Sequence, residues 1–285
     1  MTVRLRNGFC RYKDLNVPAN TSFLKILILN LMPHKAATEK QYSQLFSELA
    51  SNTELTFMVP ETHSWHHGNS RALRDHYATL TKVADDYFDA LIVTGAPLEK
   101  IDYQDVDYWP EFETIMDWSL THTGKQIFTC WSALAALNHD FQIPKINLTE
   151  KIFGVYQATD QACFPIRLQM PQSRFATIDP EQIKAQPGLS ILAQNETIGP
   201  FLLQDTKIDR WYVLGHPEYS AFTLLQEYQR DLTKGLPVQP PQNFALTAPQ
   251  LTYAHWRNSS RYLFQKFLQS NPKESSTYEQ KQLQL

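Results

Sequence analysis

The stretch QIFTCWSALAAL, residues 126–137, joins a short apolar run to an alanine-rich segment through a single cysteine. The run Gln126–Cys130 is typical of a buried strand, and Ser132–Asn138 has the composition of a small helix. A cysteine at such a junction lies on a sharp turn, above the free N–H groups and the positive dipole end of the helix. Because both features stabilise a thiolate and a developing oxyanion, Cys130 is a candidate nucleophile. Position alone leaves a buried structural cysteine as an equal alternative.

The same alternation of strand and helix extends through most of the chain. Further short apolar runs indicate strands at Lys25–Leu31, Leu55–Val59, Ala90–Val93 and Tyr212–Leu214. Segments with helical spacing of their apolar residues accompany them, at Thr38–Ala50, Ala72–Ala84, Trp109–His122 and Tyr219–Thr233. Strands that alternate with helices predict parallel βαβ units, and therefore an α/β fold whose parallel sheet has helices on both faces. Residues 151–210 are less regular, which indicates antiparallel structure there.

Length and composition predict one large folded domain between two polar ends. At 285 residues the chain lies near the upper limit of a single hydrophobic core. Residues 1–22 have no period and are predicted to form an N-terminal arm, and residues 271–285 to form a polar C-terminal tail. The domain is therefore assigned to residues 23–270.

Charge and cysteine content exclude several classes of protein. With a net charge of −3 and no long basic run, the chain lacks the positive surface that nucleic-acid binding requires. Apolar runs such as Ile26–Leu29 are too short to span a bilayer, and the N-terminus has no export signal. We therefore expect a cytoplasmic protein without a membrane partner. Cys10, Cys130 and Cys163 form neither a disulfide framework nor a zinc-binding spacing.

The stretch LGHPEY, residues 214–219, places two polar side chains directly after another apolar strand. Ligands bind at the carboxyl edge of strands in open α/β sheets, so His216 and Glu218 are candidates for the same site as Cys130. A thiol that carries an acyl group needs a base, and that base needs a carboxylate to fix its tautomer. Residues two apart on an extended segment point the same way, so Glu218 can reach the ring of His216. The alternative is a turn whose polar residues cap the following helix.

Two other motifs carry weaker signals. The loop TGAPLE, residues 94–99, has the glycine and proline that let a backbone approach a ligand, although an ordinary βα turn explains it equally well. His63, His66 and His67 cluster in the sequence, but no carboxylate or thiol flanks them at a usual ligand spacing. A polar surface loop is therefore favoured there, and no metal site is predicted.

Taken together, these motifs resemble the MetA-type homoserine O-acyltransferases, which are named homoserine O-succinyltransferases or O-acetyltransferases. The similarity runs from about residue 24 to residue 268. The matching stretches are LKILILNLMP with TEKQ (24–41), FDALIVTGAPLEKIDYQDVDYW (88–109), CWSALAAL (130–137), IPKINLTEKIFGVY (143–156) and GHPEYSAFTLLQEYQRD (215–231). The resemblance implies that residues 23–270 are an acyltransferase domain. It also implies a flavodoxin-like parallel sheet with helices on both faces, similar to class I glutamine amidotransferase domains.

The resemblance further implies a ping-pong reaction with an acyl-CoA. Cys130 would attack the thioester, and the acceptor hydroxyl, deprotonated by His216, would then attack the acyl-enzyme. Glu218 would orient His216. The amide of Trp131 and one from the loop after residue 94, assigned to Leu98, would form the oxyanion hole.

Substrate-binding roles also follow from the resemblance, residue by residue. Arg230 would bind the carboxylate of the acceptor, which suits a bidentate guanidinium. Lys151 and Ser173 match substrate-binding positions of the family, and Lys35 matches an active-site lysine. Glu99 stands where the family sets its acyl preference, and a carboxylate there would repel a succinyl group. Acetyl-CoA is therefore the expected co-substrate, and no permanently bound cofactor is expected.

Several positions depart from the family pattern and point to an altered acceptor pocket. They are His34, Leu134, Gln157-Ala158, Gln172 in place of a histidine, and Ser220 in place of an aspartate. Acetyl transfer to L-homoserine, on the route to methionine, is the predicted reaction, and L-serine, on the route to cysteine, is the alternative acceptor. A succinyl-CoA donor, a cysteine hydrolase or amidotransferase, and a silent binding protein are further alternatives. A homodimer is expected from the frequency of symmetric dimers among soluble enzymes.

Overall fold

The computed structural model describes residues 2–10, 20–64, 70–162 and 164–270. These residues divide between two compact units, with the boundary in the chain between Phe128 and Thr129. The predicted assignment of residues 23–270 to a single domain stays a prediction. The predicted tail, residues 271–285, lies outside the described residues.

The first unit is built on five parallel strands. In chain order they are β1 (Val3–Leu5), β2 (Leu24–Leu29), β3 (Thr53–Met58), β4 (Ala90–Val93) and β5 (Gln126–Thr129). Their spatial order is β1-β3-β2-β4-β5, and the neighbouring strands pair in parallel. Both Ile26–Leu29 and Ala90–Val93 are completely buried, as a sheet covered on both faces requires. The predicted parallel α/β fold is confirmed.

The helices of the first unit lie in the connections between these strands. They are α1 (Lys35–Ser47), α2 (Ser70–His76), α3 (Leu80–Val83) and α4 (Trp109–His122), with a 3₁₀ turn at Tyr103–Asp105. The connection through α1 runs from β2 to β3, and the connection through α4 runs from β4 to β5 in the opposite direction along the sheet. Because such crossovers are right-handed, α1 and α4 cover opposite faces.

The predicted helix at 72–84 is wrong in one respect, because it is interrupted in the middle. Ala78 forms a parallel bridge with Met58, and its amide donates to the carbonyl of Phe57 at 2.9 Å. The backbone there is held beside β3 and cannot continue the helical hydrogen bonds. The segment is therefore divided into α2 and α3.

The second unit combines helices with antiparallel strands. In chain order its elements are α5 (Trp131–Phe141), β6 (Ile146–Gln157), β7 (Asp160–Gln161), β8 (Gln169–Thr177), α6 (Pro180–Lys184), β9 (Leu189–Asn195), β10 (Gly199–Asp205), β11 (Arg210–Val213), α7 (Thr223–Thr233) and α8 (Pro249–Gln269). Strands β6 and β8 form an antiparallel pair, and β11, β10, β9 and β7 follow one another in antiparallel order. The antiparallel structure predicted for residues 151–210 is confirmed.

Strand β1 and helix α8 are among the elements absent from the sequence prediction. Strand β1 lies in the segment predicted as an aperiodic arm, where it pairs with β3. Helix α8 places Trp256, Leu263, Phe264 and Phe267 in the core, each with 0% of its surface exposed. No helix in the described part of the chain is both long and apolar enough to cross a bilayer.

Candidate active site

Cys130 occupies the predicted turn between strand and helix. It follows β5 directly and is the N-cap residue of α5, with φ of 51° and ψ of −119°. Its amide donates to the carbonyl of Val213 at 2.7 Å, and its own carbonyl accepts from the amide of Ala133 at 3.1 Å. A positive φ in a residue other than glycine costs about 1–3 kcal/mol and persists only when the surroundings impose it. Here β11 and the first turn of α5 impose it.

His216 and Glu218 lie in the segment after β11 and are joined by a hydrogen bond. The distance from His216 Nδ1 to Glu218 Oε1 is 2.8 Å, and the two residues are 3% and 1% exposed. The amide of His216 donates to the carbonyl of Pro171 at 2.9 Å, and the ring of Tyr219 stacks on the imidazole with centroids 4.2 Å apart. The imidazole is therefore fixed on its backbone side and on one ring face.

The Cys130 side chain completes this series of buried groups. Burial alone would lower the pKa of His216, but the charges of Cys130 and Glu218 and its hydrogen bonds to both raise that pKa well above its ordinary value. Because Nδ1 faces Glu218, Nε2 is the ring nitrogen left for the bond to Cys130. A protonated imidazole beside a sulfur atom that can bear negative charge is the arrangement of a thiolate–imidazolium pair.

The two residues predicted for the oxyanion hole lie in different units. Trp131 is the first residue of α5, so its amide lies at the helix N-terminus, where the dipole favours negative charge. Leu98 belongs to the first unit, and its amide donates to the carbonyl of Ala96 at 2.9 Å. Both roles stay predictions.

The structure brings together three of the four residues predicted to bind substrate. Lys151 Nζ lies 3.3 Å from Glu227 Oε2 and 3.2 Å from Asp231 Oδ2, and Ser173 Oγ donates to Glu227 Oε2 at 2.5 Å. Arg230 Nε donates to Asp231 Oδ1 at 2.8 Å. Lys151, Ser173 and Arg230 therefore surround two carboxylates that the sequence analysis did not select. We call these five residues the acceptor cluster, after the role predicted for Arg230.

Glu227 connects the acceptor cluster to the histidine. Tyr219, whose ring stacks on His216, donates its hydroxyl to Glu227 Oε1 at 2.5 Å. The spacing of Glu227 and Asp231, four residues apart on α7, places both carboxylates on one face of that helix. That spacing was visible in the sequence and could have identified the pair.

In the first unit, Lys35 begins α1 and is 7% exposed. Its Nζ donates to the carbonyls of Asn30 at 2.8 Å and Met32 at 2.7 Å. Burial lowers the pKa of Lys35 to about 7. A lysine in this state can change its charge near neutral pH.

A cavity of about 470 Å³ lies in the first unit, and both Lys35 and the loop after β4 line it. It is lined by residues including Leu31, Pro33, Lys35, Pro97, Leu98 and Tyr108. The loops that line it follow β2 and β4, between which the chain order of the sheet reverses, and ligands bind at such switch points in α/β folds. Glu99 is half-buried, one residue beyond Leu98 in the chain.

Only one member of the predicted histidine loop lies within the described residues. His63 Nδ1 lies 2.8 Å from Asp107 Oδ1, and the amide of Ser64 donates to Asp107 Oδ2 at 2.8 Å. These contacts hold the loop of His63 against Asp107, in the segment before α4. His66 and His67 lie outside the described residues.

Comparison with known proteins gives a consistent set of similarities. A family model described as homoserine O-succinyltransferase matches residues 6–277. A homoserine O-acetyltransferase from Bifidobacterium adolescentis is 39% identical over 86% of this chain and 74% of its own length. A homoserine O-acetyltransferase from Desulfitobacterium hafniense is 37% identical over 86% of this chain and 83% of its own.

Solved structures share the fold with much less sequence similarity. A glutamine amidotransferase from Thermotoga maritima aligns with a TM-score of 0.55 and 12% identity, over 87% of this chain and 100% of that one. At this level of identity the likeness is one of fold alone. It confirms the predicted similarity to glutamine amidotransferase domains.

Proposed function

The chain belongs to the homoserine O-succinyltransferase family, and within it we propose that the protein transfers an acetyl group from acetyl-CoA to the hydroxyl of L-homoserine. The observation that carries the proposal is the buried, hydrogen-bonded series of Cys130, His216 and Glu218, with the sulfur at the N-terminus of α5. Such a series supplies a nucleophile, a base and an orienting carboxylate. The reaction would serve methionine biosynthesis.

In the first half-reaction the Cys130 thiolate attacks the carbonyl carbon of acetyl-CoA. A new C–S bond forms, and the negative charge moves to the carbonyl oxygen, beside the Trp131 amide at the N-terminus of α5. When the tetrahedral intermediate collapses, the bond to the CoA sulfur breaks. His216 gives its proton to the departing sulfur and is left neutral.

In the second half-reaction the neutral imidazole accepts the proton of the acceptor hydroxyl. The oxygen attacks the thioester carbon of the acyl-enzyme, and the bond to Cys130 breaks, which releases the O-acetyl ester. The thiolate and the imidazolium are restored together. Glu218 stabilises the imidazolium in both steps through its 2.8 Å hydrogen bond to Nδ1.

Acetyl-CoA is proposed as the donor because residue 99 is glutamate. A carboxylate beside the acyl pocket would oppose the carboxylate of a succinyl group. We assign the cavity beside Lys35 and Leu98 to the donor, since its lining is largely apolar and it lies at the switch point of the parallel strands. The cytoplasmic location and the homodimer stay predictions from the sequence.

L-Homoserine is proposed as the acceptor because both relatives described above are named for it. Neither is named for serine, so L-serine is the alternative acceptor against which homoserine is tested. The two acceptors differ by one methylene, which a pocket distinguishes by about 1–3 kcal/mol.

The proposed function is tested by a mass-spectrometric product assay in which acetyl-CoA or succinyl-CoA is paired with homoserine or serine. The wild-type chain is expected to form O-acetylhomoserine fastest. Cys130→Ala is expected to form none, and Cys10→Ala, which removes the other described free cysteine, serves as the matched control. A faster reaction with serine would overturn the acceptor, and hydrolysis of acyl-CoA without any acceptor product would overturn the transferase proposal.

A further inference from the structure

Gln172, in β8, has a buried donor that pairs with nothing in the described part of the chain. The residue is 0% exposed, and its Nε2 has no hydrogen-bond partner among the described residues. An amide nitrogen removed from water without a partner is unfavourable, and native proteins rarely leave one so. A bound molecule is the usual way in which such a donor is satisfied.

The orientation of the Gln172 amide is fixed by its neighbours. Arg174 Nε donates to Gln172 Oε1 at 3.0 Å, and a guanidinium can only donate, so the oxygen must face Arg174 and the NH₂ group must point away. Nε2 then lies against Gly215, where a Cβ would collide with it. Gly215 immediately precedes His216, so the unpaired donor lies beside the catalytic segment.

Arg174 adds a buried positive charge that forms no ion pair with an aspartate or glutamate in the described residues. It is 1% exposed, and its other hydrogen bonds go to the carbonyls of Ala176 at 2.6 Å and Ile198 at 3.0 Å. Burial lowers the pKa of Arg174 to about 10, and the negative charge of Cys130 opposes that shift. A buried cation next to an unpaired donor favours an anionic oxygen.

The side chains of the acceptor cluster, in contrast, already pair with one another. Lys151 and Ser173 already pair with Glu227, and Arg230 already pairs with Asp231. The donor of Gln172 is therefore available to a carboxylate without displacing a protein group.

We propose that Gln172 is a further acceptor-binding residue, whose Nε2 donates to a carboxylate oxygen of the hydroxy amino acid. Arg174 is the positioning residue that holds the amide. The inference rests on the proposed function and deepens it.

The test compares two substitutions that remove the donor in different ways. Gln172→Met keeps the length of the side chain and its neutrality, while Gln172→Glu keeps an oxygen for Arg174. Both are expected to raise the KM for homoserine about 10- to 100-fold, the range for a hydrogen bond to a charged group. The rate at which acetyl-CoA acylates Cys130, followed by intact mass, is expected to stay within about threefold of wild type in Gln172→Met.

Two further variants separate binding from structure. Gln172→His restores a donor and is expected to recover most of the affinity, and Gln169→Glu repeats the charge change three residues earlier on β8 and is expected to leave the KM unchanged. An unchanged KM in both donor-removing variants, or acylation slowed as much as transfer in Gln172→Met, would overturn the inference. A wild-type chain that acylates no amino acid would overturn the proposed function as well, so the two failures are distinguishable.

Discussion

The proposed catalytic series and the acceptor cluster both lie in the second unit, but only the first is fully buried, since the Arg230 side chain is 49% exposed. Cys130, His216 and Glu218 are at most 3% exposed, and a strained backbone holds the cysteine. The acceptor cluster is held by charge, since Lys151 and Arg230 are each balanced by carboxylates on α7. This difference in burial and stabilisation corresponds to two roles in the proposed reaction, catalysis and substrate binding. In the proposed reaction, the groups that would react are preorganised before substrate arrives, whereas the groups that would bind it are paired within the protein until a ligand competes for them.

The comparison is tested most strongly at Glu218. Glu218→Gln keeps the shape of the side chain but removes the charge that stabilises the imidazolium of His216. We expect kcat to fall by about 10³- to 10⁴-fold, with the KM for homoserine little changed. Steady-state kinetics measure the effect, and the midpoint of thermal unfolding shows that the fold is kept. A loss confined to KM would mean that Glu218 belongs with the binding groups.

The matching change in the acceptor cluster is Glu227→Gln. Its amide cannot accept from both Ser173 and Tyr219, and Lys151 loses one of its two charge partners. We expect the KM for homoserine to rise about tenfold or more, with a smaller effect on kcat, because one charge-assisted contact is lost. Glu181→Gln makes the same chemical change at an exposed position and is the control. A fall in kcat comparable to that of Glu218→Gln would remove the distinction between the two groups.

The choice between acetyl-CoA and succinyl-CoA is predicted to depend on neither the catalytic series nor the acceptor cluster. Glu99→Gly removes the carboxylate that would face a succinyl group. We expect the ratio of kcat/KM for succinyl-CoA to that for acetyl-CoA to rise about tenfold or more, because a like-charge contact costs upward of about 1 kcal/mol. Parallel assays with the two donors measure the ratio. An unchanged ratio would remove the reason for choosing acetyl-CoA.

A further prediction concerns the stability of the fold at Lys35 and not the rate of the reaction. Because its pKa is lowered to about 7, the folded chain binds fewer protons than the unfolded chain above that pH. The free energy of unfolding of the wild type should therefore rise from pH 7 to pH 9 relative to Lys35→Met, by at most about 1.4 kcal/mol per pH unit. Urea unfolding of both chains at several pH values measures the difference. Parallel curves would show that the amine titrates at its ordinary pKa.

Much of the fold was predictable because its signals are local. The buried runs of β2 and β4 and the period of α4 lie within single segments, and the helical spacing of Trp256, Leu263 and Phe267 would have identified α8 as well. Strand β1 could not be recognised in the same way. It has three residues, and its stability depends on pairing with β3, about 50 residues away in the chain.

The candidate site, like the fold, combines residues that local sequence signals identify with residues that such signals do not identify. Cys130, His216 and Glu218 were recognisable because each follows the carboxyl end of an apolar strand. Glu227 was not selected, and Gln172 was noted only as a departure from the family pattern, since the contacts of both residues are made between distant segments. Ser173 and Glu227 are separated by 54 residues, and the unpaired state of Gln172 becomes visible only when β8 lies beside Gly215.

The proposed mechanism requires the sulfur of Cys130 to carry the acyl group between two substrates. The most direct measurement is the intact mass of the protein after brief exposure to acetyl-CoA without acceptor, with the modified peptide then located by fragmentation. We expect one added acetyl group on Cys130, absent from Cys130→Ala and lost when homoserine is added. An unmodified protein that still forms O-acetylhomoserine would contradict it, because the acetyl group would then pass directly from CoA to the acceptor.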